Sequence, residues 1–200
     1  GELYLTDVIE ILRNEGGTIA AAMIEDFIEI LGVNDRVQLA ESAALLRDRI
    51  NEGFMRAGVT IVDPTTTWID ATAEIANDVT IYPGSAILGS SKIATGAVIG
   101  PRATLESCMV LEGANVVESN CFEATIGAGA NVGPYSYLRS GTVLGAGAKA
   151  GAFVEIKNAT VGDGSKVPHL SYVGDATIGE GTNIGAATIF VNYDGVDKHH

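Results

Sequence analysis

No stretch of the 200-residue sequence approaches 18 consecutive apolar residues, which excludes a membrane-spanning helix. Charged residues make only 18% of the chain against 46% hydrophobic, too little charge and too much apolar surface for a disordered polypeptide. Basic residues are scarce: 12 Lys and Arg face 25 Asp and Glu, and the net charge of −13 argues against nucleic acid as a partner, though not against a local basic pocket for a small anion. The two cysteines, Cys108 and Cys121, have neither metal-ligand spacing nor a redox motif, and are read as thiols of a reducing cytoplasm. Of three histidines only His169 lies within the body of the chain, so a three-histidine metal centre is not expected. Five prolines accompany 25 glycines with no glycine at every third position, which excludes collagen. The start, Gly1-Glu2-Leu3-Tyr4, lacks a basic signal-peptide region and an initiator Met, and the natural protein is expected to begin earlier.

What is present falls into two textures. Before residue 58 the chain reads as helix and loop. Thr6-Asp7 caps a helix through Val8–Leu12 that Gly16-Gly17 ends, and Thr18–Met23 reads as a short buried strand. Asp35 to about Arg56 reads as one long helix, with Val37, Ala40, Ala44 and Leu45 on one stripe and Arg36, Glu41, Arg47, Asp48, Arg49 and Glu52 on its solvated face. After Gly58 an aliphatic residue recurs every sixth position: Ile69, Ile75, Ile81, Ile87, Ile93, Ile99, Leu105, Leu111, Val117. The series slips and resumes at Ile126, Val132, Leu138, Leu144, Ala150 and Ile156, again at Val161, Val167 and Val173, and again at Ile178, Ile184 and Phe190. A period of six is neither helical nor that of a flat strand. It suits a triangular β-solenoid in which each hexapeptide makes one strand and one turn and stacking supplies the core. The slips are expected to mark loops leaving the solenoid.

Such a fold is compatible with scaffolding, ice binding, metal catalysis or acyl transfer, so polar residues must decide. The threonines share no register, against an ice-binding face. His169, in Lys166-Val167-Pro168-His169-Leu170-Ser171-Tyr172, has the chemistry of a general base for an amine or hydroxyl nucleophile, although a structural histidine is the commoner case. Glu155 lies fourteen residues earlier, within about one coil, and can reach and orient the imidazole. Arg139 and Lys157 are eighteen residues apart, three hexapeptides, so they should stack on one face, either as a clamp for a phosphate or carboxylate or as two solvated surface charges. Asn192-Tyr193-Asp194-Gly195 is a polar turn that breaks the repeat; beside His169 its amides can bind a carbonyl or oxyanion.

Together, Gly151-Ala152-Phe153-Val154-Glu155-Ile156-Lys157-Asn158, Lys166–Asp175, Asn183-Ile184-Gly185-Ala186 and Asn192–Lys198 closely resemble the bacterial bifunctional N-acetylglucosamine-1-phosphate uridylyltransferase/glucosamine-1-phosphate acetyltransferases. Leu3–Asp7 and Gly32-Val33-Asn34-Asp35-Arg36 resemble the end of that family's uridylyltransferase domain. The resemblance implies a mainly β chain: residues 1–36 the α/β tail of a nucleotidyltransferase domain, 37–57 a linker helix, and 58–200 a left-handed parallel β-helix of hexapeptide repeats. It implies acetyl transfer from acetyl-CoA to the 2-amino group of glucosamine 1-phosphate, with His169 as base oriented by Glu155. Arg139 and Lys157 would hold the phosphate, Tyr172, Asn183 and Lys198 the sugar, and Ala186, Asn192 and Tyr193 the acetyl-CoA side. Asn34 matches a residue that helps hold Mg²⁺ in the uridylyltransferase site. A cytoplasmic homotrimer with shared active sites is implied, without nucleic acid or membrane. The family's long nucleotide-binding region with its Gly-rich loop is not in this sequence, and its β-helix continues past residue 200. The chain is therefore expected to be a fragment that does not itself transfer uridylyl groups, with His199-His200 native or the beginning of a tag. Another hexapeptide acyltransferase, acting on serine, an acyl carrier protein or a different sugar, and a non-catalytic scaffold are the competing readings.

Overall fold

A side chain that recurs every six residues faces the same side of each short strand, and three such repeats return the chain over itself. The computed structural model describes residues 4–199. Gly1, Glu2, Leu3 and His200, and with them the start of the Leu3–Asp7 segment and the second residue of the terminal histidine pair, lie outside the described residues.

The chain divides into two compact units, Gly1–Ser42 and Ala43–His200. In the first, helix α1 spans Asp7–Asn14. Gly16, at φ +80°, lets the chain turn back so that the Gly16 and Gly17 N–H groups donate to the Arg13 and Leu12 carbonyls. Thr18–Met23 forms no strand, and Met23 is 94% exposed. A strand needs a ladder partner, and among the described residues none pairs with this segment. A short 3₁₀ turn covers Phe27–Ile30, and helix α2 spans Arg36–Arg56, where one long helix was expected.

The second unit is a parallel solenoid of seven coils with three walls, each a seven-stranded parallel sheet. The first wall holds Thr60–Ile61, Thr80–Ile81, Val98–Ile99, Asn115–Val116, Asn131–Val132, Lys149–Ala152 and Lys166–His169. The second holds Trp68–Ile69, Ala86–Leu88, Thr104–Glu106, Asn120–Phe122, Tyr137–Leu138, Glu155–Lys157 and Tyr172–Gly174. The third runs from Glu74–Ile75 to Thr177–Ile178. The aliphatic column is the core: Ile81, Ile87, Ile99, Leu105, Ile126, Leu138 and Ile156 have no exposed surface. Buried hydroxyls at the corners are satisfied by carbonyls across the coil, as Thr142 Oγ1 to Ile156 O (3.0 Å) and Ser165 Oγ to Gly179 O (2.6 Å).

The register departs from a strict count of six. Leu111 is 37% exposed and Val117 is not in the core; Val110, Val116 and Cys121 take the interior positions, paired in register with Ile93, Ile99 and Leu105. The slips are not loops. They are corners shortened to five residues, at Leu105–Val110, Val116–Cys121, Cys121–Ile126, Ile156–Val161 and Val173–Ile178. Each tight corner carries one non-glycine residue in the left-handed region: Ser107, Glu118, Glu123, Asn158 and Asp175.

The inward face of the last turns of α2 also differs from the expected stripe. Val37 and Leu45 are exposed, whereas Ile50 and Phe54 pack on the solenoid core. Arg47, expected on the solvated face, is only 13% exposed in its side chain: its guanidinium lies 5.0 Å from the Trp68 ring and donates to Thr65 O. Asn51 is fully buried and donates from Nδ2 to the Pro64 and Thr67 carbonyls.

Candidate active site

The seventh coil brings the sequence motifs together. On the second wall the outward residues Tyr137, Glu155 and Tyr172 are register partners on neighbouring strands, and Lys157 pairs with Gly174. Arg139 follows Leu138, the register partner of Ile156, and its N–H donates to Ile156 O, so Arg139, one residue past its strand, lies next to the Glu155–Lys157 strand of the same wall. Each cation has a carboxylate. Arg139 Nη1 donates to Glu155 Oε1 at 2.9 Å, with the Tyr137 ring 5.9 Å from its guanidinium, and this hydrogen bond raises the arginine pKa. Lys157 Nζ stands 3.7 Å from Asp175 Oδ2, with both side chains largely covered.

His169 ends the last strand of the first wall, opposite Ala152, where the chain turns through Leu170 at φ +47° into the second wall. The residue is exposed, and its imidazole makes no hydrogen bond or ion pair among the described residues. Its carbonyl accepts from Ser171 Oγ at 2.7 Å. Glu155, expected to orient the ring, is instead bonded to Arg139.

Tyr172 lies over Gly174, and a Cβ there would stand 2.3 Å from Tyr172 Oη and 2.5 Å from Asn192 Nδ2. Asn192 Nδ2 donates to Asp175 Oδ2 at 2.5 Å and lies 3.2 Å from Tyr172 Oη. Asp175 Oδ1 accepts from Asn158 Nδ2 at 2.8 Å. Its pKa is lowered, chiefly by the amides of Asn158 and Asn192, then by the charges of Lys157 and Lys198. A cavity of about 140 Å³ opens here between Gly174-Asp175-Ala176, Phe190-Val191-Asn192 and His199.

Past Asn192 the chain folds back. Tyr193 bridges Lys198 in antiparallel register, and Tyr193 Oη donates to Gly195 O. Asp194 accepts from the N–H groups of Val196 and Asp197 and meets His199 Nε2, each at 2.8 Å, which lowers its pKa to about 2. Asn183 bridges Lys166 on the first wall, and Ala186 sits in the exposed turn before Ala187, whose N–H reaches His169 O. The expected site residues of the second unit thus divide between the second wall with its returning loop and the first wall. Asp175 and Gly174 carried no role in the sequence reading; the two amides and the lysine around Asp175 become neighbours only through the return of the coil.

Asn34, in the first unit, donates from its backbone to Gln38 Oε1, and the neighbouring Asp35 carboxylate accepts from Gln38 N. Magnesium asks for several oxygens in octahedral array. Among the described residues no group of three His, Cys, Asp or Glu could hold a metal, so Asn34 offers one oxygen but no site by itself. No helix among the described residues is long and apolar enough to cross a membrane.

No family model matches the chain. It is 60% identical over 198 residues to the bifunctional protein GlmU of Rhodococcus jostii, covering 99% of this chain and 40% of that protein. To the GlmU proteins of Kineococcus radiotolerans and Corynebacterium diphtheriae it is 59% and 54% identical, over 198 and 200 residues. The chain spans about 40% of the length of these curated relatives. Among solved structures, PerB of Caulobacter crescentus, crystallised with CoA and GDP-perosamine, aligns over 92% of this chain and 88% of its own at 20% identity and a TM-score of 0.46. LpxA of Acinetobacter baumannii aligns over 62% and 71% at 12% identity and a TM-score of 0.32.

Proposed function

We propose that this chain, which belongs to the family of bifunctional GlmU proteins in the part it spans, carries their acetyl-transfer site: acetyl-CoA gives its acetyl group to the 2-amino group of glucosamine 1-phosphate. The observation that carries the reading is an exposed imidazole with no partner among the described residues, His169, beside a wall that carries two cations, Lys157 on one strand and Arg139 one residue past the end of the neighbouring strand. A sugar phosphate needs both features, a base for its amine and a cationic clamp for its dianion.

In this reading the phosphate meets Arg139 and Lys157 and competes with Glu155 for the guanidinium. The carboxylate so released turns to the imidazole and orients it. His169 takes a proton from the amine, whose nitrogen forms the C–N bond at the thioester carbonyl. The C–S bond breaks, and the CoA thiolate takes up the proton from the imidazolium. Tyr172, Asn183 and Lys198 position the sugar, and Ala186, Asn192 and Tyr193 contact the acetyl-CoA side. Because Asn183 is on a different wall from Arg139, Lys157 and Tyr172, a homotrimer with shared sites suits this division. In the whole protein the product would pass to a UTP- and Mg²⁺-dependent uridylyl transfer to which Asn34 contributes, supplying UDP-N-acetylglucosamine for peptidoglycan and other envelope precursors. Residues 1–36 would then be the tail of that domain, 37–57 the linker and 58–200 the acetyltransferase domain. The free buried thiols Cys108 and Cys121 suit a cytoplasmic enzyme.

The test is thiol release from acetyl-CoA with glucosamine 1-phosphate as acceptor, with trimerisation followed by sedimentation. Release should need the acceptor and fall about 10²- to 10⁴-fold in His169→Ala, the usual range for losing a general base, with unchanged melting. Release indifferent to the acceptor or to His169, in the chain and in the full-length protein alike, would refute the reading.

A further inference from the structure

Asp175 sits at the tight corner between Val173 and Ile178, in the left-handed region at φ +49°. Aspartate tolerates this conformation better than most residues, and the corner fixes the direction in which its side chain leaves the backbone. From there both carboxylate oxygens are used. Oδ1 accepts from Asn158, at the corner one coil earlier, and Oδ2 accepts from Asn192, where the chain passes one coil later. The second hydrogen of the Asn192 amide faces Tyr172 Oη at 3.2 Å. One line of contacts therefore runs Asn158, Asp175, Asn192, Tyr172 across three successive passes of the chain.

Lys157 stands differently to this carboxylate than Arg139 does to Glu155. At 3.7 Å from Oδ2 its ammonium is attracted but lies beyond a normal N–H···O distance, whereas Arg139 and Glu155 are in direct contact at 2.9 Å. The three donors of Lys157 thus remain for another anion while the charge behind them is balanced. The lowered pKa keeps Asp175 ionised, so that balance is present at neutral pH.

We propose that Asp175 is a positioning residue of the site, holding Lys157 where a sugar phosphate is met and tying Asn192 to Tyr172, so that one carboxylate aligns the phosphate end and the thioester end of the reaction. The proposal rests on the acetyl-transfer reading above. Asp175 takes no part in bond making; it acts through its neighbours.

The experiment uses the full-length protein that contains this segment. Asp175→Asn keeps the volume and removes the charge, and its NH₂ would oppose the donor of Asn158 or Asn192. Asp175→Ala removes the side chain. Steady-state rates are measured with glucosamine 1-phosphate and acetyl-CoA varied separately, in wild-type and Lys157→Ala backgrounds, beside amide hydrogen exchange at Phe190 and His199, whose N–H groups bond Tyr172 O and Asn192 O. Both Asp175 variants should raise KM for glucosamine 1-phosphate about tenfold, the scale of losing a residue that orients a functional side chain. In the Lys157→Ala background Asp175→Ala should add only about threefold, because the lysine it positions is gone and only the tie through Asn192 to Tyr172 remains to be lost. Exchange at both amides should quicken in Asp175→Asn, while core amides keep their protection. The same fold-increase in KM in both backgrounds, or none in either, overturns the proposal. If wild-type protein transfers no acetyl group to glucosamine 1-phosphate, the acetyl-transfer reading falls by itself, and exchange then decides the positioning of the Asn192 segment. Exchange unchanged by Asp175→Asn overturns that as well.

Discussion

Replacing Gly174 by Ala separates the site from the scaffold. Gly174 is buried and its φ lies outside the left-handed region, so alanine can adopt the backbone without strain. The new Cβ would stand 2.3 Å from Tyr172 Oη, 2.6 Å from Tyr172 Cζ and 2.5 Å from Asn192 Nδ2, where ordinary contacts are 3.4–4 Å. The tyrosine hydroxyl must therefore retreat by about 1 Å, and the Asn192 amide by a similar amount, a displacement that can cost about 100-fold in rate. Both clashing groups are ends of flexible side chains, so the stability cost stays near the low end of the 1–3 kcal/mol typical of overpacking, about 1 kcal/mol. The assay is thiol release over a range of glucosamine 1-phosphate beside thermal unfolding. Gly179→Ala is the control, because a Cβ there meets nothing within 4 Å. Gly174→Ala should fold, melt within a few degrees of wild type and lose about 100-fold in kcat/KM, with Gly179→Ala close to wild type in both. Activity of Gly174→Ala within threefold of wild type would refute the argument that Tyr172 and Asn192 are held in working positions by the missing methyl group.

Two further outcomes follow from the same geometry. Ile156→Ala empties a fully buried position between Leu138 and Val173 on the second wall and should destabilise the solenoid by about 2–5 kcal/mol; chemical denaturation measures it, and a loss under 1 kcal/mol would mean that the coils collapse onto the cavity. Asp194 has its pKa lowered from 3.8 to about 2 by the backbone N–H groups of its own loop and by His199, so its contribution to loop order is fully present above pH 4 and lost as pH falls through about 2; protection of the Val196 and Asp197 amides should persist from pH 7 to 4 and disappear near pH 2, and protection lost already at pH 5 would contradict the assignment.

The sixfold recurrence of aliphatic residues was enough to specify a parallel solenoid, because a side chain returning every six residues through strand and corner can have only one common direction, the interior. Counting by six nonetheless chose Leu111 and Val117 over Val110 and Val116. Adjacent aliphatic residues are equivalent to a periodicity count, and only a five-residue corner with Ser107 in the left-handed region moves the inward position by one. Arg47 departs from its expected solvated face for a related reason: a charge on an amphipathic helix looks solvated until an aromatic face, here Trp68, arrives from another part of the chain. Thr18–Met23 had strand composition but no neighbour to pair with.

The candidate site divides along the same line. Arg139 and Lys157 were legible because eighteen residues make one full coil at that level, Leu138 returning to Ile156, and spacing along the chain decides which residues share a wall. Which side chains then touch was decided by the tertiary structure. The coil length changes from eighteen residues to seventeen between Leu138–Ile156 and Ile156–Val173, and a corner dihedral at Asp175 aims its carboxylate at Asn158, Asn192 and Lys157. Those contacts join residues 17 to 18 positions apart through side chains whose directions depend on backbone angles at a corner, and no periodicity in the sequence encodes an angle.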